Sequence, residues 1–433
     1  MKQGAYVPAL TYTRRPLMAT TSRTWTRLFA LMAVLFTILN TASALNKGGD
    51  AAVFFEGGRR LLHAEPLYAG SSAADGFIGP PFQAMFFAPF AAVAASSPVA
   101  AKLFWHALNI VCFVLGVWLS MKAWDAARGQ IGLPARSSLP VLFAPLAAIL
   151  LPLQTNFEHQ NMNALLLALL AAATWQLTLG SAVVAGLLIG IATALKAFPA
   201  LAIVYLAARR QWTAAIAATA TAGVLSVVMP TAIYGVAGFS DLARTFWRLS
   251  NSGWPIRGNN QSLIAALDRF TLGPWSAGVD PAGVRVGGEA PLTMMLFGVL
   301  AAALVAALVV TMARTPHRSS AVPPELAAVT VLAILLSPIA WDHYWTLMFP
   351  AFLILYDSRD ERLLGRTGDY AFWTAAVLTT GLSPLTLGRS GFNVARELSV
   401  YTVAGLIVYS SLIVVCGRSQ PRAARSEPRK SNG

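Results

Sequence analysis

Charge is what this sequence most lacks. Only 12% of its 433 residues are Asp, Glu, Lys or Arg, about half the share of a soluble globular domain. A water-facing surface all round the molecule is therefore excluded. Cysteine is nearly absent: Cys112 and Cys416 both sit in apolar stretches, which leaves no disulfide framework and no four-cysteine metal site. There is also no Gly-rich phosphate loop and no paired-histidine zinc motif. No metal and no cofactor is expected. Asp50, Glu158, His159, Asp342 and His343 have donor atoms suited to a cation, but nothing in their spacing requires one.

Apolar residues are what the chain has instead, at 56% with a mean hydropathy of +0.60. Leu28 to Leu45, Val99 to Met121, Met162 to Leu179 and Pro291 to Met312 are long apolar runs, against the roughly 20 residues of a membrane span. The chain reads as an all-α polytopic membrane protein with about 11 to 13 hydrophobic helices. They fall at about 28–45, 83–95, 98–121, 139–155, 161–179, 182–195, 197–208, 212–232, 291–313, 324–340, 343–357, 369–387 and 396–416. Segments 1–27 and 417–433 flank this membrane domain of 28–416, and two long non-membrane stretches interrupt it at 46–82 and 233–290. Residues 83–121 look like two helices, although the charge pattern leaves room for one net crossing.

The net charge of +14 raises nucleic acid as a partner, and its distribution argues against that. Lys and Arg cluster between spans, at Lys122 to Arg136, Arg209–Arg210, Arg314 to Arg318, Arg359 to Arg366 and in the tail. This is the positive-inside pattern of a multi-pass protein. The basic start and "ASA" at Ala42 to Ala44 also resemble a cleavable signal, but a cytoplasmic segment before a first span explains the same residues and is the expectation. With the basic segments in the cytoplasm, five irregular places face the other way: both long loops, "NFEHQNMN", the "LKAFP" break and "SPIAWDHYW". Irregular backbone at membrane depth is tolerated where it is buried in protein or lines a cavity. Ionisable residues there mark function. Their coincidence on one face predicts a cavity.

The residues at these places are chemically suggestive. In the first loop Val53, Phe54, Gly57 and Leu61 share one face of an amphipathic helix. Asp50 stands at its start, where it can cap the helix or act as an exposed general base. Glu158, His159, Gln160, Asn161 and Asn163 precede an apolar run, more polar groups than capping needs. Lys196 is a lone cation between apolar half-helices broken by Pro199; it can snorkel to the interface or face an anion such as a phosphate. In the second loop Asn260, Gln261, Ser262 and Arg269 form a tight group, with Gln261 and Ser262 starting a short amphipathic helix. Asp342 and His343 interrupt an oily stretch between Trp341 and Tyr344.

Taken in order, these pieces resemble glycosyltransferase family 87, whose members use polyprenyl-phosphate sugars and have the GT-C fold. The resemblance runs from about residue 46 to 357. The family's outer-loop Asp is Asp50, followed by "HAEPLY" (His63 to Tyr68) and "GPPF" (Gly79 to Phe82). Its "GQxN" corresponds to Gln160, Asn161 and Asn163. Gly186, Gly190, Lys196 and Pro199 fit its spaced Gly, Lys and Pro element, and "NQS" with a following Arg is Asn260, Gln261, Ser262 and Arg269. Its "LLSPISWxHHW" is "LLSPIAWDHYW" here. Among the departures, Gly79 replaces an aromatic residue and Tyr344 replaces the second His.

The resemblance implies a GT-C-like bundle with amphipathic helices in its outer loops. It implies an enzyme moving a sugar, mannose first, from a polyprenyl-phosphate donor to a lipid or glycan acceptor at the extracytoplasmic face of the plasma membrane. Physical chemistry agrees with that reading. A polyprenyl phosphate leaves without needing a protonating acid, but it needs positive charge beside it. Inversion needs one base for the acceptor's proton. Asp50 is the expected base and His343 the second catalytic residue, positioning acceptor or phosphate, with Asp342 holding its tautomer. Lys196 and Arg269, with Gln160, Asn161, Asn163, Asn260, Gln261, Ser262, Glu158 and Asp342, are the expected substrate-binding set. The alternatives are an arabinofuranosyl or other hexosyl transferase of the same type, or a transporter of lipid-linked sugars, for which broken helices also speak.

Overall fold

The computed structural model describes residues 18–72, 76–132, 139–251, 253–272, 286–287, 290–359 and 364–418. The expected basic tail therefore lies outside the described residues save for Gly417 and Arg418, as does the N-terminal segment up to residue 17. Residues 1–39 form one compact unit, described as the first part of α1 (Met18–Asn46). Everything below belongs to the second unit, residues 40–433.

The second unit is helical almost throughout. Its first helices are α2 (Gly49–Leu62), α3 (Pro81–Ser96), α4 (Pro98–Gln130), α5 (Leu139–Ala148), α6 (Leu150–His159) and α7 (Asn163–Thr178). There follow α8 (Ala182–Leu195), α9 (Ala200–Ala208), α10 (Trp212–Gly223), α11 (Met229–Ser250) and α12 (Leu263–Leu272). The last are α13 (Pro291–Arg314), α14 (Val322–Leu336), α15 (Phe349–Ser358), α16 (Gly365–Ala376), α17 (Pro384–Glu397) and α18 (Val400–Arg418). One two-residue antiparallel pairing, Trp254–Pro255 with Val286–Gly287, is the strand structure among the described residues.

Among the described residues five helical stretches are long and apolar enough to cross a membrane, or six if α5 and α6, bent by 60°, are one span. The protein is a multi-pass membrane protein. α14 lies at its centre with most of its residues buried, whereas α13 leaves Met295, Val299 and Val309 exposed, as a lipid-facing helix does. Close packing is set by small residues. A Cβ on Gly186 would stand 2.4 Å from the Ala214 carbonyl oxygen, and one on Gly190 2.6 Å from that of Ala218. These two glycines, one turn apart on α8, therefore let α10 lie directly against it.

The two-helix pattern of 83–121 resolves into a short and a long element. Ser97 separates them; its Oγ accepts from Ala100 N at 3.2 Å, and Pro98 opens α4. α4 has 33 residues, about 50 Å at 1.5 Å per residue, enough to cross alone. Near its start Lys102 donates to the Lys47 carbonyl at 2.7 Å, at the end where the first residues of α2 lie. Pro80, just before α3, lines the cavity at that same end. α3, too short to count among the candidate spans, packs beside α2.

Other boundaries shift as well. The second non-membrane stretch is expected from residue 233; the helix from Trp212 breaks close to that point, at Gly235 (φ 71, ψ 171), and a second helix runs on from there to Ser250. The expected helix 343–357 begins as a 3₁₀ segment, Asp342–Met348, before α15. Residues 384–397, expected to be shared between two spans, form the separate amphipathic helix α17.

At the end away from the cavity, buried ion pairs tie helices together. Arg128 of α4 pairs with Asp357 of α15, which also accepts from Trp124 Nε1 at 2.8 Å. Arg209, just after α9, pairs with Glu325 of α14 and donates to the Met312 and Thr315 carbonyls at 2.7 and 3.0 Å. Both acids sit within a fully packed interior. Such charges persist because each is paired and hydrogen-bonded.

Candidate active site

A cavity of about 1230 Å³ opens at the end where α2, α6, the α8–α9 break, the α14–α15 connection and α17 meet. Asp50 lies in the first turn of α2, one residue inside it, and Gly48 holds the N-cap position. Asp50 therefore does not cap the helix. Gly49 has φ +55, and a Cβ there would stand 2.8 Å from the His159 carbonyl oxygen, so glycine is what lets this turn press against the end of α6. The Asp50 carboxylate faces the cavity, where Oδ2 accepts from Asn161 Nδ2 at 2.6 Å.

α6 ends in a left-handed residue, Gln160 (φ 52), which turns the chain into α7. The turn divides the polar run. The Gln160 carbonyl accepts from Trp105 Nε1 at 2.7 Å and its side chain donates to the Lys102 carbonyl at 3.2 Å, so Gln160 faces α4 and not the cavity. Asn161 lines the cavity, and Asn163 is buried behind it. Asn163 Nδ2 donates to the His343 carbonyl at 3.1 Å, and both amide oxygens accept from Lys196 Nζ, at 3.5 Å (Asn161) and 3.2 Å (Asn163).

Lys196 stands where α8 stops. Its backbone is extended (φ −154, ψ 128), and Pro199 precedes α9. The ammonium lies 3.6 Å from the centre of the Tyr344 ring, which stacks on Phe198 at 5.7 Å. Tyr344, the residue that replaces the family's second His, thus forms one wall of the ammonium's box through a cation–π contact. Burial lowers this ammonium to about 7, with the Asp50 carboxylate acting in the opposite direction. The group lies in the break, on the cavity wall, outside either helix.

His343 projects from the 3₁₀ segment. Its Nε2 is 3.5 Å from Asp50 Oδ2, and its Nδ1 is 3.8 Å from Asp342 Oδ1. Asp342 Oδ2 in turn meets Arg396 Nη2 at 2.7 Å. Burial first, then the positive charge of Lys196, His159 and Arg396, push the imidazole well below its ordinary range. At neutral pH it is uncharged. His343 Nε2 has no hydrogen-bond partner among the described residues, so a hydroxyl entering beside it can bond to the imidazole and to Asp50 together. Glu158 lines the rim, where it pairs with Lys47 and accepts from Gln154 at 3.0 Å.

The second-loop group lies elsewhere. Asn260, Gln261, Ser262 and Arg269 are all fully buried, and none lines the cavity. Ser262 caps α12, its Oγ accepting from Ala265 N at 3.2 Å, as the sequence suggested. Arg269 donates to the Ile256, Arg257 and Asn260 carbonyls at 3.3, 3.1 and 2.8 Å and to Ser399 Oγ. A guanidinium turned into carbonyls is a scaffold for a loop, and it lies away from any phosphate in the cavity. The loop it holds supports the site: Asn260 Oδ1 accepts from Ala340 N at 2.8 Å, Gln261 N donates to the Ala340 carbonyl at 2.7 Å, and Asp342 N donates to the Asn259 carbonyl at 3.0 Å. These residues set the backbone that carries Asp342 and His343.

Three cavity-lining arginines fall outside the expected set: Arg257, Arg389 and Arg396. A signal for two of them was present. Arg389, Phe392, Asn393 and Arg396 repeat at helical spacing and so share one face.

Membrane-crossing helices around a cavity that pairs a carboxylate with a neutral imidazole and a boxed ammonium define a membrane enzyme of the group-transfer type. The chain belongs to glycosyltransferase family 87, whose model matches residues 77–338. Asn161, Asn163 and Lys196 fall inside that match; Asp50 and His343 flank it. One relative is the polyprenol-phosphate-mannose-dependent alpha-(1-2)-phosphatidylinositol mannoside mannosyltransferase of Mycolicibacterium smegmatis, 29% identical over 78% of this chain and 76% of the relative. The Mycobacterium tuberculosis protein of the same name is 25% identical over 71% and 69%. The crystal structure of ArnT from Cupriavidus metallidurans bound to undecaprenyl phosphate aligns over 91% of this chain and 77% of its own, with 16% identity and a TM-score of 0.41, a likeness too loose to argue from.

Proposed function

We propose that this glycosyltransferase moves a mannosyl residue from a polyprenyl-phosphate donor to a hydroxyl of a lipid acceptor, with inversion. The reaction takes place in the Asp50 cavity at the extracytoplasmic face of the plasma membrane. The observation that carries this reading is the approach of Asp50 Oδ2 to His343 Nε2 at 3.5 Å, backed by the amide–ammonium network of Asn161, Asn163 and Lys196. The acceptor hydroxyl lies between the carboxylate and the imidazole. Asp50 takes its proton as the oxygen attacks the anomeric carbon. The C–O bond to phosphate breaks on the opposite side of the sugar, and the polyprenyl phosphate leaves with the electron pair. That group gains a negative charge as it departs, so fixed positive charge lowers the barrier; Lys196 supplies it from the floor of the cavity. The neutral His343 donates or accepts one hydrogen bond, and the Asp342–Arg396 pair holds it in place.

One finding supports the sidedness. The basic residues Arg128 and Arg209 lie at the end away from the cavity, where buried pairs anchor them. The positive-inside bias puts that end in the cytoplasm. The test is transfer by membranes containing this protein, supplied with labelled polyprenyl-phosphate mannose and a phosphatidylinositol mannoside acceptor. The expected result is a labelled glycolipid made by the wild type and missing from His343→Ala membranes. Passage of intact labelled donor across sealed vesicles, with no glycoside formed, would instead indicate a transporter.

A further inference from the structure

The cavity wall carries further positive charge besides Lys196. Arg257 and Arg389 are exposed on its wall, with no ion-pair or hydrogen-bond partner for either guanidinium among the described residues. Arg396 is beside them, spending one nitrogen on Asp342 and keeping a buried Nε without a partner. The grouping is built by the fold. The chain turns at Gly388 (φ 66) and restarts as helix, so Arg389 and Arg396, seven residues apart, share one face of α17. The loop bearing Arg257 is tied to the same helix: Gly258 N donates to Glu397 Oε1 at 3.0 Å, and Gln261 Nε2 donates to the Arg396 carbonyl at 2.7 Å.

Charge accounting shows what this wall lacks. Among the described residues the cavity is lined by the cations Lys47, Lys196, Arg257, Arg389 and Arg396, against the carboxylates Asp50, Glu158 and Asp342. Lys47 pairs with Glu158, and Arg396 with Asp342. Lys196, Arg257 and Arg389 then face Asp50 alone, an excess of two positive charges. Lys196 is already committed to Asn161, Asn163 and Asp50. The uncompensated charge therefore lies on the arginine wall, whose planar donors suit phosphate oxygens.

We propose that Arg257, Arg389 and the free edge of Arg396 form a phosphate-binding subsite for a lipid substrate, beside the Asp50–Lys196 pair. The inference rests on the reading of this cavity as the transfer site. A phosphodiester brings one negative charge and a departing phosphate monoester two, so neither exceeds the excess. Two sources carry this chemistry: the polyprenyl phosphate of the donor and the phosphodiester of an anionic lipid acceptor.

The test uses the full-length protein in lipid nanodiscs, as wild type, as the double variant Arg257→Gln/Arg389→Gln, and with Lys at both positions. Two quantities are read: direct binding of a polyprenyl phosphate without turnover, and transfer rates to a phosphatidylinositol mannoside and to neutral octyl mannoside. The Gln double variant should weaken one of them about ten- to a hundredfold, with the Lys variant in between and thermal unfolding unchanged. Lost polyprenyl phosphate binding assigns the subsite to the donor. Loss confined to the phosphate-bearing acceptor assigns it to the acceptor. Changes under twofold in both overturn the subsite. A wild type that binds polyprenyl phosphate through these arginines yet transfers no sugar would keep the subsite and discard the transferase reading.

Discussion

Replacing Asp50 with Asn should stop sugar transfer while leaving donor affinity within about twofold. The expected loss is about 10²- to 10⁴-fold in the single-turnover rate, the range for removing a positioned general base. The geometry makes this substitution informative. Asn keeps the shape of the side chain, and its oxygen can still accept the 2.6 Å bond from Asn161. What disappears is the basic oxygen beside His343 Nε2. The carboxylate lies in the first turn of α2 without a capping bond, so its loss removes no cap from the fold. The check is rapid-mixing transfer at saturating donor, with donor binding measured separately. A rate within threefold of wild type would mean that another group takes the acceptor's proton.

Lys196→Met should cost about 10²- to 10³-fold in kcat/KM, comparable to losing one electrostatic donor at a developing charge. Two effects combine here. The ammonium balances the departing phosphate, and it also fixes the two amides, one of which holds Asp50 and the other the His343 carbonyl. A pH profile separates the first effect from the second. The empty site holds this ammonium at about 7 because burial disfavours its charge. An anionic donor favours the charged form and raises the value in the complex. Below about pH 7 the lysine is already protonated, and donor affinity is flat. Above it, binding requires proton uptake, and affinity falls by up to about tenfold per pH unit. Lys196→Arg, charged throughout this range, should bind donor without that slope. A slope that survives in the Arg variant would place the titrating group elsewhere.

Much of this site is legible in the sequence because the membrane makes polar residues conspicuous. Asp50, Asn161, Asn163, Lys196 and His343 all stand at helix breaks in an oily chain, and such breaks are tolerated where they meet at a cavity. Burial direction is harder to read. Gln160 and Asn161 are adjacent, yet the left-handed turn at Gln160 sends one toward α4 and the other toward Asp50. Arg269 has the charge of a phosphate ligand, and only the carbonyls around it reveal a scaffold. α17 was hidden because its apolar residues merge with the ends of two spans. The short helix α3 is as oily as a span, and only its length sets it apart.

The central claim is that a single carboxylate, Asp50, activates the acceptor for direct displacement of a polyprenyl phosphate. The most direct measurement is the anomeric configuration of the product by nuclear magnetic resonance, compared with that of the donor. The account predicts inversion, because one base and one attacking hydroxyl give one displacement. Retention would require a covalent sugar–enzyme intermediate on a nucleophile, and it would contradict the role given to Asp50.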